Sequence, residues 1–136
     1  MNVREWMTKA ERAATSAKIL LNTGDLDGAC DRAYYAMFNA ARAALIASDS
    51  QVQEDVARTH GGLIAAFSLH LVKTGLVPVE YGRALNKVQE LRLIADYKGD
   101  PIDPEKAEWA VNQALEFMQA ISTSLMPDAG NSVRPE

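Results

Sequence analysis

One cysteine, Cys30, and two histidines, His60 and His70, are spread over 136 residues. An intrachain disulfide is excluded, and no cluster of cysteine and histidine exists to hold zinc or iron. The sequence therefore predicts no metal, no cofactor and a reducing, cytoplasmic setting. Net positive charge is also missing: 14 basic residues stand against 18 acidic ones, a formal charge of -4. No long-range field then draws the chain to nucleic acid or anionic lipid, so any RNA contact must use a local patch. No stretch of about 18 uncharged residues is present to cross a bilayer. The start, MNVREWMTKAER, carries charge from its fourth residue and lacks the apolar core of a secretory signal. β-branched residues are scarce as well, with 9 Val and 6 Ile against 22 Ala and 13 Leu. An all-β fold is excluded by that balance, which favours helix.

What remains is helical periodicity in five segments. Trp6, Ala10, Ala13, Ala14, Ala17, Leu20 and Leu21 form one stripe over about residues 3 to 22, closed by Asn22-Thr23-Gly24. Asp25 or Asp27 can cap a second helix to about Ser48, along which Ala29, Ala33, Ala36, Ala40, Ala43 and Ala47 recur at steps of three and four. Residues 49–58 are polar and predict a mobile loop or a weak helical turn. Thr59 can cap a third, shorter helix with Leu63, Ile64, Phe67 and Leu71 inward, ending at Gly75. A fourth helix is expected from about Val79 to Lys98, stopped by Gly99. Asp103-Pro104 opens a fifth with Ala107, Val111, Ala114, Met118, Ile121 and Leu125 inward. Short loops between long helices predict an all-α, up-down antiparallel bundle of four main helices plus a shorter one, in a single domain over 1–126. Residues 127–136, PDAGNSVRPE with Pro127 first, read as a disordered tail.

Polar groups inside apolar helices mark the candidate site. On the second helix Arg32, Tyr35, Asn39 and Arg42 share a stripe beside the bulky Tyr34, Met37 and Phe38. A guanidinium fork in a central helix suits phosphate as well as carboxylate. The structural alternative pairs Arg32 with a carboxylate of the first or fourth helix and lets the tyrosine hydroxyls reach the surface. At the end of the fourth helix, Arg92 and Asp96 are four apart, arginine first, the weaker orientation for an ion pair. Asp96 also lies where the helix dipole is negative. His60, beside two glycines at a helix start, is a candidate acid or base or a packing residue. His70 reads as structural, and Arg83 and Lys87 as a solvated mixed face. No phosphate-binding glycine loop and no serine-nucleophile motif occurs.

The runs GDLDGAC followed by RAYYAMFNAARAAL, then THGGLIAAF, then LRLIADY resemble the HEPN family in order and spacing over about residues 8 to 122. The resemblance implies a helical bundle that dimerises, often encoded beside a minimal nucleotidyltransferase as a toxin-antitoxin-like pair. It also implies metal-independent endoribonuclease activity in members that carry arginine followed four to six residues later by histidine. Here Asp96 and Tyr97 stand where that histidine would be. Cleavage of RNA without metal needs a base, an acid and a cation. Arg92 or Arg32 can be the cation, and Asp96, Tyr97 and His60 are the candidates for the other roles. Tyrosine is a poor base at neutral pH.

The expectation is a HEPN-type homodimer that binds RNA or a nucleotide phosphate through Arg32, Tyr35, Asn39 and Arg92, with ribonuclease activity weak or absent. The alternative is a non-catalytic interaction module partnering a nucleotidyltransferase, with the same residues forming a polar lock.

Overall fold

The computed structural model describes residues 2–48, 58–98 and 101–125, and for residues 97, 98 and 125 the backbone alone. Among the described residues five α-helices follow one another: α1 (Val3–Thr23), α2 (Leu26–Ala47), α3 (His60–Phe67), α4 (Val79–Leu93) and α5 (Pro104–Leu125). Among the described residues there is no strand, so the expected all-α fold holds. The loop expected over 49–58, apart from Arg58, and the tail expected over 127–136 lie outside the described residues, as does the stop at Gly99.

Each boundary has a local cause. Asn2 and Glu5 form a capping box, the Asn2 side chain accepting from Glu5 N and the Glu5 side chain from Asn2 N, both at 2.8 Å. Gly24, at φ 91°, ends α1 in the left-handed conformation, its N–H meeting Leu20 and Leu21 carbonyls. Asp25, the first of the two expected caps, takes the amide of Gly28 at 2.9 Å. A Cβ on Gly28 would sit 2.5 Å from that aspartate's Oδ2, so the glycine lets the cap close. Thr59 caps α3 through Gly62 N at 2.9 Å, and Asp103 accepts from Glu105 N at the start of α5.

The alanine seam is buried as its spacing requires. Ala10, Ala13, Ala14 and Ala17 of α1, Ala29, Ala33, Ala36 and Ala40 of α2, and Ala107, Ala110 and Ala114 of α5 all lie in the core. α2 packs on α1, α3, α4 and α5, most extensively on α1 and α5, because side chains this small let helix axes come close. It is the central helix. On α5 the stripe gains a member: Phe117 is fully buried, packed against Phe67 at 5.3 Å between centroids, with Met118 partly buried against the same core.

Two helices were expected to run on without change of winding, and neither does. After Phe67 the chain continues as a π-helical turn, Ser68–Val72, and Lys73 N reaches back five residues to Ser68 O at 2.9 Å. Helical winding thus stops short of Gly75, which follows at φ 84°. After Leu93 a second π-helical turn, Ile94–Lys98, carries Asp96 and Tyr97. One extra residue in a helical turn rotates everything beyond it, and such turns recur at functional sites.

Candidate functional site

Side chains at 31, 34, 35 and 38 of α2 fall within one sector, since steps of three and four return to the same side of a helix. Onto that sector α3 brings its first residue, His60, and α4 brings Arg92 from its last turn. Tyr34 is the hub. Its ring is fully buried, and its hydroxyl is hydrogen-bonded to His60 Nδ1 at 2.8 Å. The His60 ring lies 5.3 Å from Tyr34, 5.2 Å from Phe38 and 5.9 Å from Tyr35, centroid to centroid. Arg92 places its guanidinium carbon 4.9 Å above the Tyr34 ring and 5.8 Å from Tyr35. A largely desolvated cation on an aromatic face is worth about 1–2 kcal/mol. The Arg92 side chain is only 12% exposed.

Its charge is compensated from two helices. Nη1 stands 3.3 Å from Asp96 Oδ2 and 4.0 Å from Asp31 Oδ1 of α2, and Nε donates to Gln89 Oε1 at 3.4 Å. Arg92 therefore ties α4 to α2 in addition to making the intrahelical pair its spacing suggests. Arg32 is half exposed, 3.4 Å from Asp31 Oδ2, with its guanidinium carbon 5.0 Å from the Tyr35 ring. The expected carboxylate from the first or fourth helix is thus corrected to the adjacent Asp31, which a side chain lying along its own helix reaches first. The hydroxyl of Tyr34, expected at the surface, is corrected too. It points inward to His60, which arrives across the helix end.

Burial and then the positive charge of Arg92 hold His60 below its usual 6.5, while Asp31 pulls it upward. His60 is therefore neutral at pH 7. Burial also drives the Tyr34 hydroxyl well above its ordinary value, against the lowering effect of Arg92. Tyr34 stays a phenol. A buried O–H whose hydrogen bond goes to a ring nitrogen must donate to it or leave its proton unsatisfied. Nδ1 thus accepts, and neutral His60 carries its proton on Nε2, where it serves as a donor and not as a base. Cys30, buried in α2, has its thiol pushed up to about 11 by burial and by Asp27, so it offers no thiolate.

Of the residues expected at the site, Arg92, Asp96, His60, Arg32 and Tyr35 come together. Asn39 does not join them: it is 8% exposed, one turn further along α2, and among the described residues no hydrogen bond or ion pair connects it to Arg92 or His60. The Tyr97 side chain lies outside the described part. Sequence reasoning missed Tyr34 and Asp31 as site residues. The signal for both was available in their three-residue spacing and in the need of Arg92 for an interhelical carboxylate.

The site thus gathers two arginines paired with two carboxylates, a histidine and the Tyr34 and Tyr35 rings. Among the described residues no group of three or more metal-ligating side chains forms a metal site, and no helix is long and apolar enough to cross a membrane.

Comparison with known proteins agrees with this architecture. A UPF0332 protein of Gloeobacter violaceus is 33% identical over 118 residues, covering 85% of this chain and 90% of that protein. A Methanocaldococcus jannaschii protein bearing the name "Putative toxin" is 34% identical over 116 residues, covering 85% of this chain and 83% of its own. A UPF0332 protein of Thermotoga maritima is 33% identical over 122 residues, with 88% and 87% covered. The family description that matches, over residues 3–124, is the HEPN domain, and the chain belongs to that family.

Proposed function

We propose that this chain is the HEPN component of a toxin-antitoxin-like pair, acting as a homodimer that binds RNA or a nucleotide phosphate in the arginine-lined cleft of Arg92 and Arg32. Ribonuclease activity is weak or absent. The carrying observation is the convergence of Arg92 and His60 on the Tyr34 ring, at 4.9 Å and 5.3 Å. Two relatives bear the name "Putative toxin", which supports the two-protein setting, and the family resemblance points to a minimal nucleotidyltransferase as the partner. Weak cleavage follows from the His60 tautomer: a ring that accepts from Tyr34 at Nδ1 presents N–H outward and lacks the lone pair needed to take a 2′-hydroxyl proton. Asp96 is engaged by Arg92 at 3.3 Å.

The test is direct binding of AMP and of a short RNA to purified protein, beside Arg92→Ala and Arg32→Ala. Affinity should fall about tenfold or more in Arg92→Ala, the loss typical of one charge-assisted contact. Wild-type affinity in both variants would sink the reading. Rapid RNA cleavage that persists in chelator and vanishes in Arg92→Ala would show the site to be a working nuclease instead.

A second reading has its own observation. Arg92 is 12% exposed and paired with carboxylates on two helices, which suits a polar lock in an interaction module that partners a nucleotidyltransferase without chemistry of its own. On that reading Arg92→Ala lowers thermal stability or dimerisation sharply, and the protein binds no nucleotide before or after the change.

A further inference from the structure

A second set of cations and rings continues from the cleft along α2. Arg32 lies on Tyr35 at 5.0 Å. One turn further, Phe38 packs against Tyr35 at 6.2 Å and receives Arg42 at 5.9 Å. Arg42 in turn stands 4.7 Å over the Trp6 ring of α1, and Lys9 lies 5.4 Å from the same ring. Cations and rings thus run in contact from Arg32 through Tyr35, Phe38, Arg42 and Trp6 to Lys9.

We infer that Trp6, Lys9 and Arg42 form an auxiliary contact for a single-stranded nucleic acid whose phosphate is held at Arg92, so that the protein binds strands several nucleotides long more tightly than a single nucleotide. The inference rests on the proposed phosphate role of Arg92. Three observations carry it. A ring holds a cation in place without neutralising it, and among the described residues no ion pair involves Lys9. Glu5, the acid one helical turn before Lys9, is committed to the Asn2 amide at 2.8 Å. Trp6 and Tyr35 are half-buried and each lies beside cations, and rings set in a basic groove are the combination that binds single strands without sequence preference.

The length matches as well. Arg32 and Arg42 are ten residues apart on one helix, about 15 Å at 1.5 Å per residue. At about 3.4 Å per stacked nucleotide that spans about four nucleotides, the lower end of the footprint of such platforms. A local strip of this kind also answers the net charge of -4, since it needs no basic surface elsewhere.

The experiment titrates Trp6 emission in a Trp109→Phe background with a uridine dinucleotide and a uridine octanucleotide in chelator, at several salt concentrations. The octanucleotide should bind about tenfold tighter, the gain of one stacked base, and should change Trp6 emission where the dinucleotide does not. In Lys9→Gln that advantage should shrink and the log-log salt slope should fall by about 0.7, one phosphate contact. Arg42→Gln should act the same way, with dinucleotide affinity unchanged in both. Lys9 is exposed, so its variant keeps the test valid should Arg42→Gln misfold. Equal affinity for both lengths, or a Lys9→Gln protein with wild-type advantage and slope, overturns the strip and leaves the Arg92 cleft standing. Failure of both oligonucleotides to bind overturns the cleft reading and the strip with it.

Discussion

The two sides of α2 obey different rules. Toward α1 and α5 the core is alanine, with Ala33, Ala36 and Ala40 fully buried; toward α3 and α4 it is Tyr34 and Phe38, with a histidine and a nearly buried arginine laid on the rings. Packing alone accounts for the first side, because alanine has no polar atom to satisfy and no volume to spare. The second side contains a desolvated guanidinium and a phenol, groups that cost stability unless each finds a partner. Every such partner comes from a different segment: Asp31 from α2, Asp96 from the π-helical turn, His60 from the start of α3. Close packing there specifies the fold, and polar satisfaction here specifies the site.

That contrast can be broken from either end. The largest effect should come from the alanine side: Ala40→Leu forces a larger side chain into a filled seam, at a cost of about 3 kcal/mol or about 10 °C in Tm, measured by thermal melts, while nucleotide affinity per folded molecule stays unchanged. A melt within a degree or two of wild type would mean that the seam is looser than its burial implies. Smaller is Tyr34→Phe, which keeps the ring and removes the hydroxyl, leaving His60 Nδ1 without its donor. About 1 kcal/mol of stability should go, and in this case nucleotide affinity should change as well, because the His60 tautomer is no longer fixed.

The smallest effect is a pH dependence carried by His60. Folding favours its neutral form, so the unfolded chain takes up a proton at 6.5 while the folded one does not. The His60 contribution is complete above pH 6.5 and is lost as pH falls from there toward the lower folded value. Tm measured between neutral and mildly acidic pH should therefore fall less steeply in His60→Gln than in wild type. Identical slopes would show that His60 titrates as freely folded as unfolded, against the burial seen beside Tyr34.

The alanine side was legible in the sequence, and the reason is physical: it is written in helical period alone, and steps of three and four need no knowledge of the partner. The caps at Asp25, Thr59 and Asp103 were legible for the same reason, being local hydrogen bonds. The cluster was legible only in pieces. Arg92, Asp96, Arg32 and Tyr35 could be picked out as polar groups on apolar helices. Their meeting with His60 depends on Tyr34, 26 residues earlier in the chain, and on the angle at which α3 arrives. The π-helical turns left no trace in composition, since one extra residue per turn changes hydrogen bonding and not residue type. Asn39, 8% exposed, stands apart from that cluster, because a shared stripe fixes direction along a helix but not which neighbouring helix brings a partner.

His60 and His70 are the only histidines in the chain, so ring-nitrogen NMR reads the cluster with a control built in. In the free protein at neutral pH, His60 should be the neutral form with its proton on Nε2. Titration with AMP should shift the His60 ring signals and leave those of His70 in place, and in folded Arg92→Gln the shift should disappear. His60 signals that do not move in wild type, or that move equally in Arg92→Gln, would contradict a phosphate site built on Arg92, Tyr34 and His60.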